Sequence, residues 1–168
     1  MRIRILEPSD VELYYAFRLR GLKESPEAFG STFAEESVMS AEVRRSHFHC
    51  TDENFVLGAF GAASQLIGVA GFYRETHLKL RHKGYVWGMY VAPESRGKGV
   101  GRALLSSLIE RGKSLAGLEQ LGLDVVTVNE AARGLYLSQG FEIYALEREA
   151  MKHDGEYYDV EQMVLRLR

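Results

Sequence analysis

The chain has 168 residues, 46% of them apolar and 26% charged, with a formal net charge of -2. That length allows one domain with a sizeable core, and the composition excludes a disordered or fibrous chain. The near-neutral charge excludes a global basic field for nucleic acid or anionic membrane, and the single cysteine, Cys50, excludes an intrachain disulfide.

The first segment, "RIRIL" at 2–6, alternates as a strand does. Pro8, Ser9 and Asp10 are helix-start residues, and Val11, Tyr14, Tyr15, Arg18 and Leu19 follow at helical spacing to about Gly21. Residues 25–37 are turn-rich and read as a loop. Ser40 is placed to cap a second helix through "AEVRRSHFHC". Residues 54–61 and 65–76 read as two strands around a short turn, an antiparallel hairpin. Residues 82–91 form a third strand of this group, on which the two-residue period puts Tyr85, Trp87, Met89 and Val91 on one face. Pro93 ends it.

After a glycine loop, Val100, Ala103, Leu104, Leu105 and Leu108 make the apolar stripe of an amphipathic helix. Residues 121–128 are a strand, and 129–139 are a helix stopped by Gly140. Two strands, 141–148 and 158–168, close the chain around the turn residues Asp154 and Gly155. The order is β-α-α-β-β-β-α-β-α-β-β, an α/β chain with a mixed sheet.

No apolar run approaches the roughly 20 residues of a membrane span, and "MRIRILEPSD" lacks the apolar stretch of a secretory leader. With no repeat or low-complexity linker, the expectation is a single domain over 1–168, soluble and cytoplasmic, with no nucleic-acid or membrane partner. A homodimer stays compatible with the sequence.

The loop "RGKGVG" places Gly97, Gly99 and Gly101 between a strand and a helix. Glycine costs entropy there, so the bare backbone needs a use. The free N–H groups of a first helical turn, the helix dipole and the charges of Arg96, Lys98 and Arg102 together predict a phosphate or pyrophosphate cradle. The spacing fits neither the Walker loop nor the dinucleotide fingerprint. A flexible loop with solvated basic residues is the alternative.

These residues resemble a known family. "RGKGVG" matches the [QR]-x-x-G-x-[GA] loop of the GNAT superfamily of N-acetyltransferases. "VTVNEAARGLYLSQGFEIY" is similar to its second motif, and the two stand in the right order. The resemblance implies a mostly antiparallel central sheet flanked by helices, and acetyl-CoA as co-substrate with an amine acceptor. It implies pyrophosphate binding by the backbone of Arg96, Gly97, Lys98, Gly99, Val100 and Gly101, with Arg102 nearby. The pantetheine arm would run along Met89 and Val91, where this strand and the next splay apart. It also implies that Asn129 binds the arm, that Tyr136 protonates the leaving sulfur, and that the Val91 N–H is the oxyanion donor.

Each residue has a plainer reading as well. Asn129 is a good N-cap, Tyr136 packs well on a sheet, and Arg133 is as much a solvated helix residue as a phosphate contact. The strand 85–91 carries no carboxylate, so no general base is assigned; Glu35, Glu36, Glu75 or ordered water are the options. "HFHC" (His47, His49, Cys50) lacks a second ligand pair at zinc spacing, so no metal is expected. Cys50 lies far from both motifs, which favours direct transfer without an acyl-enzyme. Aromatic and acidic residues in 29–37 and 151–161, chiefly Phe33, Glu35, Glu36 and Tyr157, suit a cationic amine acceptor. A non-catalytic acyl-CoA-binding or sensor module on the same fold is the rival function.

Overall fold

The computed structural model covers residues 1–168. Its seven strands form one sheet. The strands β1 (Arg2–Ile5), β2 (Asn54–Phe60), β3 (Leu66–Arg74) and β4 (Lys83–Val91) neighbour one another in that order, all antiparallel. On β4 follows β5 (Gln120–Val126) in parallel, then β7 (Glu156–Arg166) and β6 (Glu142–His153), again antiparallel. The expected mixed, mostly antiparallel sheet is therefore present.

Helices cover both faces. α4 (Val100–Ser114) and α5 (Glu130–Ser138) lie on one, where Leu104, Leu105, Leu108 and Tyr136 pack with Phe55, Phe72 and Leu121. Burying each of those leucines is worth roughly 1.5–3 kcal/mol, so the α4 stripe seats this helix on the sheet. α1 (Val11–Glu24) lies on the other face, where Val11, Tyr14, Tyr15 and Phe17 pack with Val56, Val69 and Tyr90. The short helices α2 (Phe33–Ser37) and α3 (Ala41–His47) rest on α1. No helix is long and apolar enough to cross a membrane.

Local signals account for most boundaries. The Ser40 hydroxyl accepts the Val43 N–H at 3.2 Å and starts α3. Residues 25–37, expected as a loop, contain a 3-10 turn at Pro26–Ala28 and the helix α2. The cause of α2 is a capping box: the Glu35 N–H donates to Thr32 Oγ1, while the Thr32 N–H donates to the Glu35 carboxylate. The last hairpin is longer than expected. Asp154 and Gly155 both have positive φ, 48° and 84°, so two residues suffice for the reversal. The arms therefore pair right up to His153 and Glu156.

One expectation is corrected. Tyr85, Trp87, Met89 and Val91 do not share a face. Val69 pairs with Tyr90 but Gly71 with Trp87, so β4 holds one extra residue there. Gly88 takes that bulge with φ of 58°, a left-handed conformation that glycine adopts without steric cost. The extra residue inverts the alternation. Trp87 packs on the α1 side, whereas Met89 and Val91 pack on the α4 side.

The β4–β5 pairing is short. It joins Lys83 to Gln120, Gly84 to Leu121 and Tyr85 to Gly122, then stops. Beyond it both strands continue, to Val91 and Val126, without pairing each other. A wedge-shaped gap opens in the middle of the sheet.

Candidate active site

A cleft of about 910 Å³ opens at that gap, between the start of α4, α5 and the turn at Pro26–Ala28. It brings together Met89, Val91, Arg96, Gly97, Gly99, Val100, Gly101, Arg102, Asn129 and Tyr136. Gly97 and Gly99 have φ of 71° and 80°, and a Cβ on either would meet nothing within 4 Å. Their requirement is thus conformational: both hold left-handed backbone in the loop that leads into α4, whose first-turn N–H groups have no intrahelical partner. Gly101 differs. A Cβ there would come within 3.2 Å of Leu135 Cδ2, so glycine lets α4 and α5 approach without displacing that side chain.

Two predicted contacts lie elsewhere. Lys98 Nζ donates to the Glu94 carbonyl at 2.9 Å and does not line the cleft. Arg133 is held by both oxygens of Glu161, at 2.5 and 2.8 Å, which raises its pKa further and leaves it outside the cleft. Arg102 does line it, with Nη2 donating to Ser138 Oγ at 3.2 Å.

The loop is tied back to α1. Arg20 grips both Glu94 oxygens at 2.8 and 2.7 Å and also donates to Glu24 at 3.0 Å. Glu24 in turn accepts from the Tyr90 hydroxyl. Burial and then the Glu24 carboxylate push the Tyr90 pKa up to about 12.

Val91 faces the gap with its backbone. The Ala92 N–H donates to the Ile67 carbonyl at 3.0 Å, and Val91 sits opposite Gly68. In an antiparallel ladder this alternation turns the Val91 N–H and C=O away from β3. The carbonyl accepts Arg96 Nε at 3.0 Å.

On the α1 side of the sheet lies a second cavity of about 520 Å³, walled by Arg18, Phe29, Tyr73, Tyr85, Trp87, Asp124, Glu147 and Met151 among others. Tyr73 and Tyr85 stack there at 5.3 Å between ring centroids. A small pocket of about 70 Å³, the passage, shares wall residues with both cleft and cavity. Gly88, Met89, Asn129 and Tyr136 line it, and so does Asp124.

Tyr136 and Asp124 meet unlike environments in this passage. Tyr136 is 8% exposed, its hydroxyl's sole hydrogen-bond partner is Met89 Sδ at 3.7 Å, and burial pushes its pKa up to about 12. It is a protonated donor with only a weak acceptor. Asp124 opens onto the cavity, yet partial burial, and after it the charge of Glu147, raises its carboxyl above the ordinary value. Asn129 also caps α5, its Oδ1 accepting the Ala132 N–H at 3.2 Å.

Asp124 escapes the sequence reading, although "LGLDVV" signals it as the lone charge in an apolar strand. None of the four expected acceptor residues lines the cavity. Glu36 is buried against Arg18 and Ser31, Glu35 is used in the capping box, and Phe33 lies under Lys23 at 4.3 Å. Tyr157 is exposed near the hairpin tip beside Lys152. Glu75 is likewise outside cleft, passage and cavity. No group of three or more His, Cys, Asp or Glu side chains gathers as a metal site.

Residues 21–141 match the Acetyltransferase (GNAT) family. An uncharacterised N-acetyltransferase of Bacillus subtilis, YoaA, is 33% identical over 95 residues, covering 56% of this chain. The match spans about half, 52%, of that relative's length. A GNAT-family acetyltransferase structure from Streptococcus pneumoniae superposes with a TM-score of 0.87 at 24% identity, covering 98% of both chains. A phosphinothricin acetyltransferase from Sinorhizobium meliloti, solved with AcCoA, gives a TM-score of 0.82 at 22% identity, over 98% of this chain and 87% of that one.

Proposed function

Since the chain belongs to the GNAT acetyltransferase family, we propose that it moves the acetyl group of acetyl-CoA onto the primary amine of a small acceptor, both being bound at once. The observation that carries this reading is the small pocket walled by both Asp124 and Tyr136, which shares its lining with a long cleft and with an aromatic cavity.

The cleft fits the cofactor. The left-handed Gly97 and Gly99 and the start of α4 offer a bare backbone cradle for pyrophosphate, with Arg96 and Arg102 beside it. Acetyl-CoA bound there supplies a thioester carbonyl open to attack by an amine. Asp124 takes the proton that the amine sheds as the nitrogen–carbon bond forms. Tyr136 gives its hydroxyl proton to the sulfur as the carbon–sulfur bond breaks. The Val91 N–H supports the carbonyl oxygen. A tyrosine near 12 and a thiol near 8.5 differ by about 3.5 units, or about 5 kcal/mol. The same dry surroundings raise the proton affinity of a thiolate, which narrows that difference.

A thiol-release assay over a panel of small amines, amino acids and peptides tests the reading. Asp124→Asn should lower kcat roughly 10²–10⁴-fold with acetyl-CoA affinity little changed. A variant that turns over at the wild-type rate, with chemistry rate-limiting, would remove Asp124 as base. Binding of acetyl-CoA with no thiol release from any amine would favour a binding module.

A further inference from the structure

Arg18 presents to the second cavity a nitrogen, Nη1, that its bonds to Glu36 and Ser31 do not engage. Its guanidinium has five N–H groups. Nε donates to Glu36 Oε2 at 2.6 Å, and Nη2 donates to Glu36 Oε1 at 2.6 Å and to Ser31 Oγ at 2.9 Å. None of these bonds engages Nη1. That nitrogen lies over the bulge, 3.3 Å from where a Cβ of residue 88 would stand. Arg18 and Gly88 both wall the cavity, and the Arg18 side chain is 14% exposed. A fixed guanidinium with Nη1 turned toward a cavity can donate to one further oxygen, and a carboxylate supplies one.

Other walls of the same cavity carry the opposite charge. Asp124 and Glu147 supply carboxylates, and Asp124 reaches into the passage where Tyr136 lies. Phe29, Tyr73, Tyr85 and Met151 add apolar surface. A ligand with a cationic amine, a carboxylate and an apolar body would satisfy all three features.

Resting on the transferase reading above, we infer that the acceptor is a free α-amino acid with an apolar or aromatic side chain. Its carboxylate lies on Arg18 Nη1, its amine is directed to Asp124 and its side chain lies against the tyrosine pair. The bound ammonium first releases one proton to solvent and so gains its lone pair; the nitrogen then takes the acetyl group, its second proton passes to Asp124, and the thiol leaves with the proton from Tyr136. Peptide N-termini are disfavoured because an amide replaces the carboxylate.

Thiol release is measured with acetyl-CoA and the free α-amino acids, then with phenylalaninamide and phenethylamine beside phenylalanine, and leucinamide and isopentylamine beside leucine. The expected result is turnover of apolar amino acids, with kcat/KM about ten- to a hundredfold lower for the amides and the decarboxylated amines, the span of one charged hydrogen bond. Arg18→Lys, which keeps a cation for Glu36, should raise KM for the amino acid and leave that for the decarboxylated amine unchanged. Equal use of amide, amine and amino acid by the wild type overturns the proposal without any variant, as does turnover confined to other amines. Calorimetry with acetyl-CoA separates the two levels. Binding without turnover of any amino acid overturns this inference alone, whereas absence of binding overturns the transferase reading with it.

Discussion

Tyr136 is the residue for which burial decides most. With its pKa raised to about 12, the phenol stays protonated across the working range of pH. Ionisation of Tyr136 therefore produces no alkaline loss of activity below about pH 11. Tyr136→Phe removes the proton and little packing, so kcat should fall roughly 10²–10⁴-fold while cofactor affinity holds. Stopped assays from neutral to alkaline pH check both statements; an alkaline limb in the wild type that vanishes in the phenylalanine variant would contradict the first. Asp124 works in the other direction. Burial, and after it the Glu147 charge, raises its carboxyl above the ordinary value, which makes it a stronger proton acceptor, whereas Tyr136 is held as a donor.

The glycine loop and α4 act as one element, and its backbone conformation is what a ligand would meet. Gly99→Ala adds no clash but forces a side chain into φ of 80°. It should cost about 1 kcal/mol in urea unfolding and weaken acetyl-CoA about tenfold by calorimetry, through misdirected N–H groups. Unchanged affinity would move the pyrophosphate away from this loop. Such features were legible in the sequence because they are local: the loop glycines, the Asp154-Gly155 turn, the Ser40 cap and the α4 stripe each act over a few residues. The bulge at Gly88 was not, because a strand shows its extra residue only against a partner's register. Nor was the fate of Glu36, whose carboxylate is turned inward by Arg18 from a different helix. Asp124 stood in plain view in β5, but its importance depends on where β4 and β5 part.

At the scale of the whole molecule, the Arg18–Glu36 pair joins α2 to α1 and links stability to pH. Burial alone would raise the Glu36 pKa, but the hydrogen bonds from Arg18 and Ser31 and the Arg18 charge outweigh it and hold the carboxyl below its ordinary value. As pH falls, the unfolded chain binds this proton before the folded one. The pair's contribution is therefore complete above the ordinary glutamate pKa of about 4.3 and is lost on acidification toward the folded value. Glu36→Gln should cost about 3 kcal/mol near neutrality, since it strands a buried arginine. Urea titrations should show the gap to wild type shrinking below about pH 4; a constant gap would mean that the carboxylate's charge is not what matters. The short pairing of β4 with β5 has a further consequence for how the chain folds. Strands β1 to β4 precede β5 and β7 in the chain, and as long as β5 is not docked β4 is an edge. A straight, regular edge is a template on which another chain can add a strand and begin to aggregate. The left-handed Gly88 and its bulge break that regularity half-way along β4. The irregularity beside the ligand passage thus also makes the waiting edge a poor match for a stranger's strand.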